Sequence, residues 1–252
     1  MARRLAAVDL LAAAIAAAVA LWIAYASQTA PKPAAAAPPS TAQSTRAAFY
    51  VLAVTWLPAF CELKPRVREC HGTPTPRFAL HGLWPGGEYC GIDGDMLATD
   101  QLDHWNDLPA LRLTDATWAA LRAAMPGTKS RLERHEWVVH GSCSGASPDT
   151  YFAGAAALLG ELDRSPVHDL FVANAGRDLT RTEVAAAFDG AFGKGAGRRV
   201  RLSCEDDGGG RQIIDELTIA LYGDPFGGDT LAALLAAAHP RGGGCAAGNI
   251  VE

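Results

Sequence analysis

Six cysteines, spaced from Cys61 to Cys245, constrain the fold of this 252-residue chain more than any other feature of its sequence. An even number of cysteines in an exported chain predicts a framework of three disulfides, and the sequence alone leaves their pairing open. No two of them have CxxC spacing, which argues against zinc ribbons and thioredoxin-type redox chemistry. The alternative is a set of buried free thiols.

The first 26 residues indicate export. Arg3 and Arg4 precede an uncharged apolar run over residues 10–26, which is near the lower limit of about 17 residues for a membrane-spanning helix. The run ends at Ala24–Ala26 with the small-x-small pattern of a signal cleavage site. Residues 1–26 are therefore predicted to be a signal peptide or an N-terminal membrane anchor, and both place the rest of the chain in the periplasm or outside the cell. A buried Ala-rich helix is the alternative.

A Pro/Ala-rich stretch follows over residues 27–47. It has almost no large apolar side chain, so it cannot bury a core and is predicted to be a semi-extended linker. The remaining residues, 48–252, are expected to form one domain. Apolar residues make up 49% of the chain and its net charge is −5. This composition supports a packed core and argues against tight, non-specific nucleic-acid binding, while leaving open transient binding by an enzyme.

The hydrophobic pattern predicts strands at both ends of this region and helices in its middle, which favours an α+β fold. Strands are predicted at 49–55, 78–84, 200–204 and 213–221, the last two as a hairpin around a triple glycine. Helices are predicted at 115–125, 132–140, 148–162 and from a Thr180/Glu183 capping box to residue 192.

Two segments carry residues with acid–base chemistry. FALHGLWP contains His81 and Trp84, and HEWVVHGSC contains His135, Glu136 and His140. The two histidines of the second segment are five residues apart, about 140° around a helix, so they cannot share a metal ion from one helix face.

Glu136 and His140 are four residues apart and share a helix face, and this spacing predicts that the carboxylate raises the pKa of the imidazole. A lone histidine or tryptophan in a strand is usually structural. Two histidines and an acid together can act on a phosphoryl group.

These segments resemble the two active-site segments of the ribonuclease T2 family, and YVLAVTWLPAFC resembles its first strand. The region that starts LERHEWVVHGSC and the later RLSC strand are similar to the bacterial, periplasmic branch of the family. The resemblance covers residues 48–252. It implies an α+β fold with a central antiparallel sheet flanked by helices.

The resemblance also implies an endoribonuclease that cleaves single-stranded RNA with low base specificity and without a cofactor or metal. The 2′-OH attacks the adjacent phosphorus, which leaves a 2′,3′-cyclic phosphate end. By analogy, His140 is the base and His81 the acid. Glu136 and His135 assist at the phosphate, and Trp84 stacks on a base.

The family pattern further implies the disulfide pairs Cys61–Cys70, Cys90–Cys143 and Cys204–Cys245. The partner is an RNA substrate, the protein is expected to be a monomer, and any membrane contact is limited to residues 10–26 if they are not removed.

One position departs from the family, because Val139 stands where a lysine is common. If this position faces the phosphate, as its place four residues after His135 suggests, a lysine there is expected to raise kcat/KM. Two alternatives stay open: a catalytically weakened, RNA-binding relative of the same fold, and a secreted cytotoxic ribonuclease.

Overall fold

In the computed structural model, which describes residues 48–252, four long strands form an antiparallel sheet. The strands of this region are β1 (Ala48–Trp56), β2 (Phe78–Pro85), β3 (Asp178–Thr180), β4 (Val200–Asp206), β5 (Gln212–Gly223), β6 (Gly243–Gly244) and β7 (Ala247–Asn249). The long strands lie in the order β2-β1-β5-β4, and β3 pairs antiparallel with β7. The short strands β6 and β7 run parallel to β4 and β5. The predicted α+β class and central antiparallel sheet are confirmed, and the parallel edge pairs were not predicted.

Residues 48–252 also form eight α-helices. They are α1 (Leu57–Leu63), α2 (Gly94–Gln101), α3 (Asp115–Ala124), α4 (Leu132–Val139), α5 (Pro148–Asp163), α6 (Pro166–Ala173), α7 (Arg181–Phe192) and α8 (Leu231–Ala237). The four predicted helices are confirmed to within one or two residues, and both sides of the Thr180/Glu183 capping box are formed. The missed helices, α1, α2, α6 and α8, have only seven or eight residues. Elements this short show little helical periodicity.

Side chains alternate between the two faces of β1. Tyr50, Leu52, Val54 and Trp56 are almost completely buried. Their face packs against the helices, as shown by the ring of Phe171 in α6, whose centroid is 5.3 Å from that of Trp56. This face therefore forms the main core of the domain.

The other face of the sheet is less covered, since Val51 and Thr55 are only half-buried. Val51 is paired with Trp84 on β2, and Thr55 is paired with Glu216 on β5. Directly opposed residues project to the same side of a sheet. The pairing therefore puts an indole and a carboxylate on the same accessible face.

A bulge interrupts the pairing of β1 with β2. Ala53 is paired with Gly82 and Val54 with Leu80, so His81 is the extra residue on β2. A bulge bends the strand and redirects the side chain of the extra residue. Behind β2, the buried Tyr151 of α5 donates a 2.7 Å hydrogen bond from its hydroxyl to the Leu83 carbonyl, which holds the strand in place.

Three disulfides cross-link the domain. They join Cys61 to Cys70, Cys90 to Cys143, and Cys204 to Cys245. These are the pairs that the family resemblance implies, and the alternative of free thiols is wrong. The second bond connects the segment after β2 with the segment after α4.

The signal peptide or anchor predicted for residues 1–26 and the linker predicted for 27–47 lie outside the described residues, so both remain predictions. In the part that is described, no helix combines the length and the apolar character that a membrane crossing requires.

We expect loss of the Cys90–Cys143 bond to lower stability by about 2–4 kcal/mol, since a disulfide restricts the unfolded chain. Cys90→Ser, Cys143→Ser and the double variant should show the same decrease in Tm by circular dichroism. The Cys61→Ser/Cys70→Ser variant serves as the control, since its bond closes a short loop outside the chemistry-bearing segments. Additive losses for Cys90→Ser and Cys143→Ser would contradict the pairing.

Candidate active site

The bulged His81 lies between two carboxylates. Its Nδ1 is 2.6 Å from Oε2 of Glu216, which reaches it from β5 across β1. Its Nε2 is 3.5 Å from Oε1 of Glu136 on α4. Burial acts to lower the pKa of His81, but the Glu216 hydrogen bond and the neighbouring negative charges outweigh it, so the pKa is raised above 6.5. His81 is therefore stabilised in its charged form.

Glu136 is almost completely buried, with 1% of its surface exposed. Its Oε2 accepts a 2.9 Å hydrogen bond from the indole Nε1 of Trp84, and its Oε1 has no hydrogen-bond partner within the described residues. Burial raises its pKa to about 7, against the opposing charges of His81 and His135. Near neutral pH the side chain is therefore close to the midpoint of its titration.

His140 is the C-terminal cap residue of α4. Its surroundings disfavour the charged form of its imidazole, whereas those of His81 favour it. Its pKa is lowered to about 4, first by burial and then by the positive charges of His135 and His81. Its Nδ1 is buried and forms no hydrogen bond in the part of the chain that is described. The prediction that Glu136 raises the pKa of His140 is wrong, because the Glu136 carboxylate points to Trp84 and His81 instead.

Trp84 lies close to both histidines. The centroid of its ring is 5.2 Å from that of His81 and 5.2 Å from that of His140. The indole is only half-buried, so part of it is accessible. Stacking of a base on Trp84 stays a prediction. What the structure adds is contact with both imidazoles and a hydrogen bond to Glu136.

His135 has its own set of partners. Its Nδ1 is 2.8 Å from Oδ1 of Asp100 on α2, and its ring stacks on Trp105 with centroids 4.5 Å apart. Asp100 is buried and also accepts a 2.9 Å hydrogen bond from the Tyr89 hydroxyl. His135 is therefore held by α2 and the following loop, and it influences the pKa of Glu136 and His140 through its charge.

The side chain of Val139 is buried, with 6% exposed. Its position four residues after His135 suggested that it faces a bound phosphate, and the structure corrects this. A lysine at this position would first have to extend out of the packed interior. The expected gain in rate from such a lysine loses its structural basis.

Sequence reasoning missed Glu216 and Asp100, which hold His81 and His135. The sequence contains a pattern that could have indicated Glu216, because an acid pair at 215–216 interrupts the otherwise apolar strand β5. Asp100 had no comparable signal, since it lies in a short helix with a mixed sequence.

Gly82 allows the close packing of this site. A Cβ atom at this position would overlap Oε2 of Glu136 and Nε1 of Trp84. The residue after His81 must therefore be glycine for the indole–carboxylate hydrogen bond to form.

The site combines an imidazole that stays neutral above about pH 4 with a second imidazole that favours its charged form. Such a pair can accept a proton at one point and donate a proton at another. Among residues 48–252, no three His, Cys, Asp or Glu side chains are arranged so that they could hold a metal ion.

The chain is similar in sequence to known ribonucleases. The sequence profile of the Ribonuclease T2 family matches residues 47–230. The chain is 31% identical to ribonuclease I of Escherichia coli over 204 residues, which cover 69% of this chain and 75% of the relative. It is 32% identical to a ribonuclease of Aeromonas hydrophila over 110 residues, 44% of each chain.

Solved structures share the fold, among them the following two. The self-incompatibility-associated SF11-RNase of Nicotiana alata has a TM-score of 0.57 at 16% identity, covering 82% of this chain and 100% of its own. Ribonuclease MC1 from bitter gourd seeds has a TM-score of 0.52 at 20% identity, covering 81% of this chain and 99% of its own.

We expect Gly82→Ala to lower stability by about 1–3 kcal/mol and to change the titration of His81, since the added methyl displaces Glu136 and Trp84. The measurements are thermal unfolding and NMR titration of the imidazole protons. Gly86→Ala is the matched control, because a Cβ there meets no atom within 4 Å. Equal behaviour of the two variants would show that the contact has no effect.

Proposed function

The chain belongs to the ribonuclease T2 family and is an endoribonuclease, and we propose that it cleaves single-stranded RNA by attack of the 2′-OH on the adjacent phosphorus. The observation that carries this mechanism is the pair of histidines with opposite protonation tendencies, both in contact with Trp84. The reaction needs a base for the 2′-OH and an acid for the 5′-oxygen, and this pair can supply both without a metal ion or cofactor.

His140 acts as the base in this proposal. Its low pKa keeps the imidazole neutral across the physiological range, so a ring nitrogen is free to accept the proton of the 2′-OH. As this proton leaves, the 2′-oxygen forms a bond to phosphorus. The position of the ring also supports this role, since it lies beside Trp84 at the end of α4.

His81 acts as the acid. The Glu216 carboxylate holds its Nδ1 and favours the imidazolium, which leaves the Nε2 proton for transfer. The bond from phosphorus to the 5′-oxygen breaks as that oxygen takes the proton. The products are a 2′,3′-cyclic phosphate and a free 5′-hydroxyl. Glu216 is a positioning residue, because it acts through His81.

Negative charge on the phosphoryl oxygens requires nearby donors. Glu136 can donate a hydrogen bond in its protonated form, which its pKa of about 7 makes accessible near neutral pH. His135 is fixed by Asp100 and Trp105 and adds positive charge when protonated. We assign both residues to the stabilisation of the phosphate.

Trp84 offers a partly accessible aromatic face to a base. Stacking tolerates any base, because every base has a π face. The next residues, Pro85-Gly86-Gly87, carry no hydrogen-bonding side chain that could read a base edge. We therefore propose low base specificity.

We propose that the protein works in the periplasm or outside the cell. Its three disulfides and its similarity to a bacterial ribonuclease I support this, since such bonds persist in oxidising compartments. We further propose that residues 1–26 direct this export. If they are retained, residues 10–26 are the only proposed membrane contact.

We expect His81→Ala and His140→Ala each to reduce kcat/KM by about 10²- to 10⁴-fold, as removal of a general acid or base does. The assay follows cleavage of a dinucleoside monophosphate and of its 2′-deoxy analogue, with and without EDTA, and identifies the product ends. Wild type should cleave only the ribose substrate, in both buffers, and leave cyclic phosphate ends. Cleavage of the deoxy analogue, or full activity of His81→Ala, would refute the mechanism. RNA binding by wild type without any cleavage would favour the non-catalytic alternative.

The pH dependence tests the assignment of acid and base. For the free enzyme, kcat/KM should rise as pH passes about 4, where His140 becomes neutral, and should fall above pH 6.5, where His81 loses its proton. Glu216→Gln removes a charge that raises the pKa of His81, so the descending limb should move to lower pH. The control is Glu205→Gln, which changes an exposed acid on β4. An unmoved descending limb in Glu216→Gln would show that a group other than His81, such as Glu136 with its pKa of about 7, sets that limb.

A further inference from the structure

A cavity of about 460 Å³ lies at the N-terminal end of α4, and five of its eleven lining residues are basic. The five cations that contribute to it are Arg77, Arg122, Lys129, Arg131 and Arg134. Glu133 is the single acidic residue of the lining. The whole chain has a net charge of −5, so this concentration of positive charge is a local feature.

Two of the cations are held rigidly. Arg77 donates a hydrogen bond to the carbonyl of Ala123, and Arg134 donates to the carbonyls of Asn106 and Leu108 at 2.8 and 2.6 Å. Backbone carbonyls carry no net charge, so these bonds fix the guanidinium groups without neutralising them. The positive charge of Arg77 remains available to a ligand, while Arg134 also has the Glu133 carboxylate 3.8 Å from its Nε.

The other three cations have no polar partner of their own. Within residues 48–252, the side chains of Arg122, Lys129 and Arg131 form no hydrogen bond or ion pair, and Arg122 lies over the ring of Trp118 at 5.0 Å. Arg122 and Lys129 are exposed and Arg131 is half-buried, so these cations are available to an anion.

Glu133 does not neutralise the cavity. It is almost completely buried, its Oε1 is 3.8 Å from Nε of Arg134, and its Oε2 has no partner in the described part of the chain. One carboxylate faces five cations. The excess of positive charge therefore makes the cavity attractive to an external anion.

The cavity is built on the same two elements as the active site. Arg77 directly precedes β2, four residues before His81, and Arg131 precedes α4, nine residues before His140. These spacings correspond to about 13 Å along each element. The cavity is therefore separate from the proposed catalytic groups and within the reach of one bound strand.

We propose that this cavity is a second phosphate-binding site, which holds the backbone of the RNA strand at least one nucleotide away from the bond that is cleaved. This inference rests on the proposed function, because that function supplies the polyanionic substrate. A dinucleoside monophosphate has a single phosphate, which must occupy the catalytic site. Only a longer RNA can place a further phosphate in the cavity.

The test compares Arg122→Ala/Lys129→Ala with Arg66→Ala/Lys194→Ala, a control that removes two exposed cations elsewhere. Steady-state kinetics are measured with a dinucleoside monophosphate and with oligoribonucleotides of increasing length. For the long substrates, the cavity variant should raise KM about three- to tenfold with kcat unchanged, as expected for two exposed ionic contacts. Cleavage of the dinucleoside monophosphate should equal that of wild type.

Salt dependence and binding provide independent measurements. The slope of log K against log salt for oligonucleotide binding, measured by fluorescence anisotropy, should decrease by about 0.7 for each phosphate that the variant no longer neutralises. Equal effects of the cavity and control variants, or no dependence on RNA length, would overturn the proposal. Binding of inorganic phosphate that is abolished in the cavity variant, with length dependence unchanged, would assign the cavity to a free anion and overturn it as well. Failure of every protein to cleave RNA would refute the proposed function, while anisotropy would still test the cavity.

Discussion

The contact between His81 and Glu216 depends on the antiparallel pairing of three strands. β1 separates the strands that carry the two residues, and its register brings Glu216 opposite Thr55, on the accessible face. The bulge at His81 then directs the imidazole toward the 2.6 Å contact with the carboxylate. A shift of register by one residue would move Glu216 to the core face, where an unpaired charge is costly. Fold and proposed catalysis therefore impose the same constraint on the strand pairing.

A carboxylate partner separates the behaviour of the two histidines. Both lie against Trp84, yet only His81 has a carboxylate at hydrogen-bonding distance. His140 has burial and neighbouring positive charge acting on it, and both disfavour its charged form. The two histidines therefore favour different protonation states, because His81 has a carboxylate partner and His140 does not.

Local signals in the sequence were sufficient for the long elements and for the two active-site segments. The run of aromatic and β-branched residues in β1 and the capping box at Thr180 predicted those elements closely, because each is encoded within a few neighbouring residues. The contacts of His81 with Glu216 and of His135 with Asp100 join positions 135 and 35 residues apart. Helical spacing likewise suggested a Glu136–His140 pair, and the tertiary contact of Glu136 with Trp84 prevailed. Such contacts depend on strand order and packing, which no local pattern contains.

The Cys90–Cys143 bond joins the segment after β2 to the segment after α4, and these elements carry the two histidines. Such a bond forms in oxidising compartments, whereas in the cytosol the two cysteines stay as free thiols. A chain that fails to leave the cytosol therefore lacks this covalent link between the two halves of its site. Full covalent cross-linking of the two active-site segments therefore requires an oxidising compartment.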